Sequence, residues 1–81
     1  MQLININVAQ CRMARAVLRM KVRELAQQAG ISPTTITTWE SGRSSPTWET
    51  LSRIKQALEA KGIVFVDQDD MTGVLVKRPP A

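Results

Sequence analysis

Few side chains in this sequence could do chemistry. It has no histidine and one cysteine, Cys11, so neither a base-activated nucleophile nor a Cys/His zinc cluster can be assembled. No phosphate-binding glycine loop is present, and no enzyme activity, metal or cofactor is expected. Asp67, Asp69 and Asp70 cluster, but the remaining ligand positions of a calcium loop are missing, which leaves a charged turn. What stands out is contact chemistry in "SPTTITTWESGRSS", residues 32 to 45. Thr34, Thr35, Thr37 and Thr38 each carry a hydroxyl and a methyl, and Arg43 and Ser44 follow closely.

The charge distribution points the same way. Formal net charge is +4. Residues 1 to 45 hold Arg12, Arg15, Arg19, Lys21, Arg23 and Arg43 against only Glu24 and Glu40, whereas residues 46 to 81 balance five basic with five acidic side chains. A positive excess confined to one half is what a polyanion-binding face looks like. No apolar run approaches the roughly 20 residues of a membrane span, and the start lacks a signal-peptide layout. A reducing cytoplasm fits the cysteine usage. Eighty-one residues suit one small domain whose modest core favours a homo-oligomer.

Four helices are expected to position these residues. Asn7 and Gln10 form a capping-box pair, after which Ala9, Met13, Ala14, Val17 and Leu18 recur at helical spacing over about 8 to 19. Cys11 falls inside as a small packing residue. A second helix runs from about Val22 to Ala29, with Gly30 at the left-handed stop. Ser32 caps the third and Pro33 occupies its first turn; Ile36 and Trp39 mark its buried face, and Ser41-Gly42 ends it. Thr47 caps the fourth, where Trp48, Leu51, Ile54, Ala57 and Leu58 form an apolar stripe that stops at Lys61-Gly62. Trp39 and Trp48 are both read as packing residues. "IVFV" and "GVLVK", joined by "DQDDMT", then predict a hairpin. The alternating "LININV" is compatible with a third strand and equally with a frayed end, and the tail from residue 78 to 81 is expected to be disordered.

Leu25, Ala26, Gly30, Ile31, Ile36 and Trp39 together have the spacing of a helix-turn-helix: a small residue where two helices cross, a glycine at the turn, and anchors for the second helix. On these positions the sequence resembles the Cro/repressor-like (Xre-type) regulators. The matching stretch runs from "QCRMARAVL" through "ELAQQAGIS" and "TTITTWESGRSSP" to "ETLSRIKQALEAKGI", and the hairpin looks like that of a subset of small bacterial and phage members.

The resemblance implies a mainly α fold, a lambda-repressor-like four-helix bundle over about 7 to 61, followed by a hairpin over about 63 to 77. It implies a dimer that binds double-stranded DNA with the third helix in the major groove. It also implies that Arg15 and Glu40 pair as structural residues. Where the family usually has a Ser or Thr cap followed by a glutamine, this chain has Lys21 and Val22, so Lys21 and Arg23 are expected to meet phosphate by charge instead. Ser32, Pro33, Thr34, Thr35, Thr37, Thr38, Arg43 and Ser44 complete the expected DNA-contacting set. Threonines imply short-range readout, leaning on thymine methyls, Arg43 and DNA shape.

The hairpin has its own expected role. Alternation places Ile63 and Phe65 on one face and Val64 and Val66 on the other, and a lone two-stranded sheet leaves apolar surface and open edges. Ile63, Val64, Phe65, Val66, Val74, Leu75 and Val76 are therefore expected to form the dimerisation element. The leading reading is a dimeric repressor of an inverted-repeat operator, with autoregulation among its modes of control. The second, from another class, is an antitoxin-type module that binds DNA and masks a protein partner.

Overall fold

The computed structural model describes residues 5–78. Four helices, α1 (Val8–Leu18), α2 (Val22–Ala29), α3 (Pro33–Glu40) and α4 (Trp48–Glu59), precede β1 (Ile63–Gln68) and β2 (Met71–Val76). The helix boundaries lie within a residue or two of those expected. The stops of α1, α2 and α3 share one device. In a Schellman turn a left-handed residue ends the helix, and two amide N–H groups fold back onto otherwise orphaned carbonyls. Gly30 (φ 73°) does this for α2, with Gly30 N donating to Gln27 O and Ile31 N to Ala26 O. Gly42 (φ 81°) does it for α3 through Trp39 O and Thr38 O. For α1 the left-handed residue is Arg19 (φ 54°), with Met20 N reaching Arg15 O at 2.8 Å. No glycine announces that stop in the sequence.

The core centres on α2, which packs against both α3 and α4. Leu25, Ile36, Ile54 and Leu58 are fully buried, joined by Ala14, Ala26, Ala29, Trp39 and Ile63. Burial rises along α4 from Trp48, which is 55% exposed, through half-buried Leu51 to Ile54 and Leu58. Trp48 therefore does not pack in the core as its place in the apolar stripe suggested: it is the first residue of α4, and burial sets in only further along the helix.

The hairpin is antiparallel, with Gln68 opposite Met71 across a two-residue turn, Asp69-Asp70. Asp67, Gln68, Met71 and Thr72, expected in the connection, belong to the ladder instead. Asp69 takes a left-handed φ of 45°, a conformation that aspartate tolerates better than most residues.

Gln10 ties the sheet to the helices. Its backbone N donates to Asn7 Oδ1 and its Oε1 accepts from Asn7 N, which is the expected capping box. Its Nε2 then donates to Val66 O and Gly73 O, at 3.0 and 3.2 Å. With the side-chain amide satisfied on both ends, Gln10 is 2% exposed at no unpaired polar cost. Asn7 Nδ2 donates to Thr72 Oγ1, so the cap that starts α1 also docks the hairpin. Residues 5–7 form no strand; Asn5 Nδ2 instead reaches Ser52 Oγ on α4, and Ile6 is buried. Residues 1–4, which include the first two of "LININV", and the tail from residue 79 lie outside the described residues.

Candidate nucleic-acid interface

The α2-turn-α3 unit is built from the inside outward. Leu25 and Ala26 on α2 and Ile36 and Trp39 on α3 are buried, and Ile31 at the turn packs against the same core. Small Ala26 permits close approach of the two helices. With those side chains inward, helical geometry turns Thr34, Thr37, Thr38 and Ser41 outward.

A second tie holds α3 from behind. Arg15 Nε donates to Glu40 Oε2 at 3.0 Å, and Nη2 to Oε1 at 2.7 Å, a bidentate pair across 25 residues of sequence. Arg15 Nη1 also donates to Met20 O at 3.2 Å, joining the pair to the turn that ends α1. The paired Glu40 holds the Arg15 guanidinium still further above its ordinary range. A third member was not legible in the sequence: Cys11 Sγ donates to Glu40 Oε2 at 3.2 Å. Burial, and then the neighbouring carboxylate, pushes this thiol up to about 12, so Cys11 is a neutral donor at physiological pH.

Every expected contact residue can now be placed. Ser32 caps α3 by accepting from Thr34 N, and Pro33 sits in the first turn. Pro33, Thr34 and Thr37 are exposed, while Thr35 is half-buried toward the core side. Thr38 is partly covered because its hydroxyl meets Ser44 Oγ at 2.9 Å. Arg43 and Ser44 are exposed in the loop beyond Gly42. Lys21 and Arg23 are exposed at the start of α2. A lysine ammonium has no lone pair to accept with, so α2 is capped only by Glu24 Oε1, which accepts from Lys21 N at 2.9 Å. The Lys21 side chain is left to solvent.

Arg12, whose role the sequence left open, is brought next to α3: it lines a shallow cleft of about 220 Å³ with Val22, Thr37, Glu40 and Ser41. Only helix packing makes that juxtaposition, since 25 residues separate Arg12 from Thr37. Exposed hydroxyls and methyls on α3, with Arg12 in the cleft beside Thr37 and Arg43 in the loop that follows, can hydrogen-bond and neutralise an anionic, groove-bearing surface.

The expected dimerisation residues divide into two groups. Ile63 is 2% exposed, and Phe65 and Val74 pack against the core of their own chain, so these three are corrected from interface to core. The reason is pleat: Ile63 and Phe65 share the face turned toward the helices. Val64, Leu75 and Val76 are exposed, and Val66 is half-buried. Among the described residues no helix is long and apolar enough to cross a membrane.

Comparison with known proteins agrees with this geometry. No curated protein sequence matches the chain significantly. Four solved chains match. One is the solution structure of the DNA-binding domain of the P22 C2 repressor, at a TM-score of 0.59 and 24% identity over 70% of this chain and 76% of that one. At that identity the likeness speaks for the fold, mainly helical with the repressor-type helix-turn-helix. A family described as a helix-turn-helix domain matches residues 8–64, from the first residue of α1 into β1. With the two helices, the turn and the anchoring ion pair in place, the chain belongs to the helix-turn-helix domain family.

Proposed function

We propose that this protein is a sequence-specific double-stranded DNA-binding transcriptional regulator that acts as a homodimeric repressor on an inverted-repeat operator, including one at its own promoter. The observation that carries this reading is α3 itself. Its outward face holds short groups able to reach base edges, its inner face is locked by Ile36, Trp39 and the Arg15–Glu40 pair, and Arg12 beside it and Arg43 just after it supply positive charge. A rigid reading helix flanked by phosphate-neutralising charge is the arrangement that direct readout needs.

The dimer is supported by the outer face of the hairpin. Val64 and Leu75 are cross-strand partners, 39% and 63% exposed. Beside them, Met13 of α1 has its Sδ 3.9 Å from where a Cβ on Gly73 would stand, and Val17, one turn further along α1, is half exposed. An apolar patch assembled from α1 and both strands suits a second copy, because an inverted repeat calls for two reading helices related by a two-fold axis.

Protection of DNA upstream of the protein's own gene, measured across a salt series, tests both parts. Lys21→Ala is expected to flatten the slope of log K against log salt by about one unit per chain. Leu75→Asp is expected to give monomers by light scattering and to weaken binding to the two-half-site duplex. An unchanged dimer after Leu75→Asp would remove the hairpin from the interface, and recovery of a small co-encoded protein on that face would favour the antitoxin-type reading.

A further inference from the structure

The hydroxyls on the outward face of α3 are not all free to read DNA. Thr37 Oγ1 donates to Pro33 O at 3.1 Å, and Thr38 Oγ1 donates to Thr34 O at 2.9 Å, with Thr35 O at 3.3 Å. A hydroxyl has one proton. With the Thr38 proton committed to a carbonyl, its 2.9 Å contact with Ser44 Oγ is one in which Ser44 donates. The protons therefore run in one direction, from Ser44 to Thr38 to the Thr34 carbonyl. Back-bonding of this kind is how threonine competes with its own helix, and here it also decides what the side chains can offer.

Thr38 has its donor used and one acceptor site filled, so its methyl is the group it presents. Thr37 presents a methyl and oxygen lone pairs but no proton. Of the major-groove edges, guanine shows only acceptors, O6 and N7, which find no donor on these two residues; adenine and cytosine each show an exocyclic amine, and thymine alone a C5-methyl.

We infer that Thr37 and Thr38 form a donor-free reading patch selective for thymine, in which the Thr38 methyl seats on a thymine C5-methyl and the Thr37 oxygen accepts from a neighbouring exocyclic amine, of adenine or cytosine. The inference rests on the DNA-binding reading above and sharpens it to a chemical preference. The Ser44 hydroxyl serves as a positioning group, holding the Thr38 rotamer from the loop side.

The test begins by selecting bound sequences with the full chain from a library of duplexes with a randomised centre. Thymines of the enriched half-site are then replaced one at a time by deoxyuridine, which deletes only the methyl. One position is expected to lose about fourfold in affinity per half-site, the worth of one buried methyl. Thr38→Val, which keeps the methyl and puts a second one in place of the hydroxyl, is expected to retain that sensitivity. Thr38→Ser, which keeps the hydroxyl, is expected to bind thymine DNA about fourfold more weakly and to be indifferent to uracil at that position, so that the two losses fail to add.

The uracil arm needs no altered protein, so misfolding cannot mimic its result. Enrichment of half-sites in which no thymine is sensitive to uracil overturns the inference while leaving DNA binding intact. Failure to bind any duplex even at low salt overturns the DNA-binding reading and this inference with it.

Discussion

Breaking the Arg15–Glu40 pair from its two sides should have unequal effects, and the inequality can be worked out from the contacts. The side chains are 20% and 9% exposed respectively. Removing one partner of a buried pair costs about 3 to 5 kcal/mol, most of it the desolvation of the charge left behind. Glu40→Ala leaves a guanidinium that reaches water over a fifth of its surface and keeps its bond to Met20 O, which puts the loss near the bottom of that range, about 3 kcal/mol. Arg15→Ala leaves a more deeply buried carboxylate with only the weak Cys11 S–H as donor, and also frees the Met20 carbonyl. Its loss should be about 4 to 5 kcal/mol. For a chain this small, either value is a large fraction of total stability. Urea unfolding of both variants measures the difference, and the double variant Arg15→Met/Glu40→Leu should recover much of it, because no charge is then stranded. Equal losses below about 1 kcal/mol for both single variants, the range of exposed pairs, would refute the claim that this pair holds α3.

Two further outcomes follow from the backbone and from Cys11. Arg19→Gly should stabilise the protein by about 1 kcal/mol in the same assay, since Arg19 is exposed and holds a left-handed conformation that glycine adopts without strain; a loss of stability would mean that its side chain matters. The Cys11 thiol is raised from 9.0 to about 12 in the fold, by burial first and Glu40 second. Its contribution is therefore complete below pH 9 and lost as pH climbs toward 12. Unfolding at about pH 11 should show a loss of roughly 3 kcal/mol relative to neutral pH, and Cys11→Ala should show a smaller difference between the two.

Local signals carried far along this chain. Asn7 with Gln10, Ser32 with Pro33, Thr47, Gly30 and Gly42 each act through their nearest neighbours, and each helix boundary they mark agrees with the structure. The end of α1 was expected near residue 19 and lies within a residue of it, but the left-handed turn at Arg19 was illegible because an arginine there leaves no compositional trace; it accompanies burial of Met20 and the bond from Met20 N to Arg15 O. Trp48 misled for a related reason. Helical periodicity says which face of α4 is apolar but not how far along the helix its neighbours extend.

The hairpin shows the same divide. Alternation identified two faces, yet only docking on α1 and α4 decided that Ile63, Phe65 and Val74 serve the core while Val64 and Leu75 remain outside. Gln10 makes that docking possible by capping α1 and bonding the sheet at once, a double role that no spacing rule contains.

The sequence by itself determined the order of elements, the helix-turn-helix and which helix would present threonines, because caps, turns and periodicity are short-range properties of the chain. Tertiary structure decided the rest: the bonding of Cys11 to the ion pair and the place of Arg12 beside Thr37. Those depend on groups that approach only when distant segments pack, where hydrogen-bond geometry and burial, rather than residue type, set what each side chain can do.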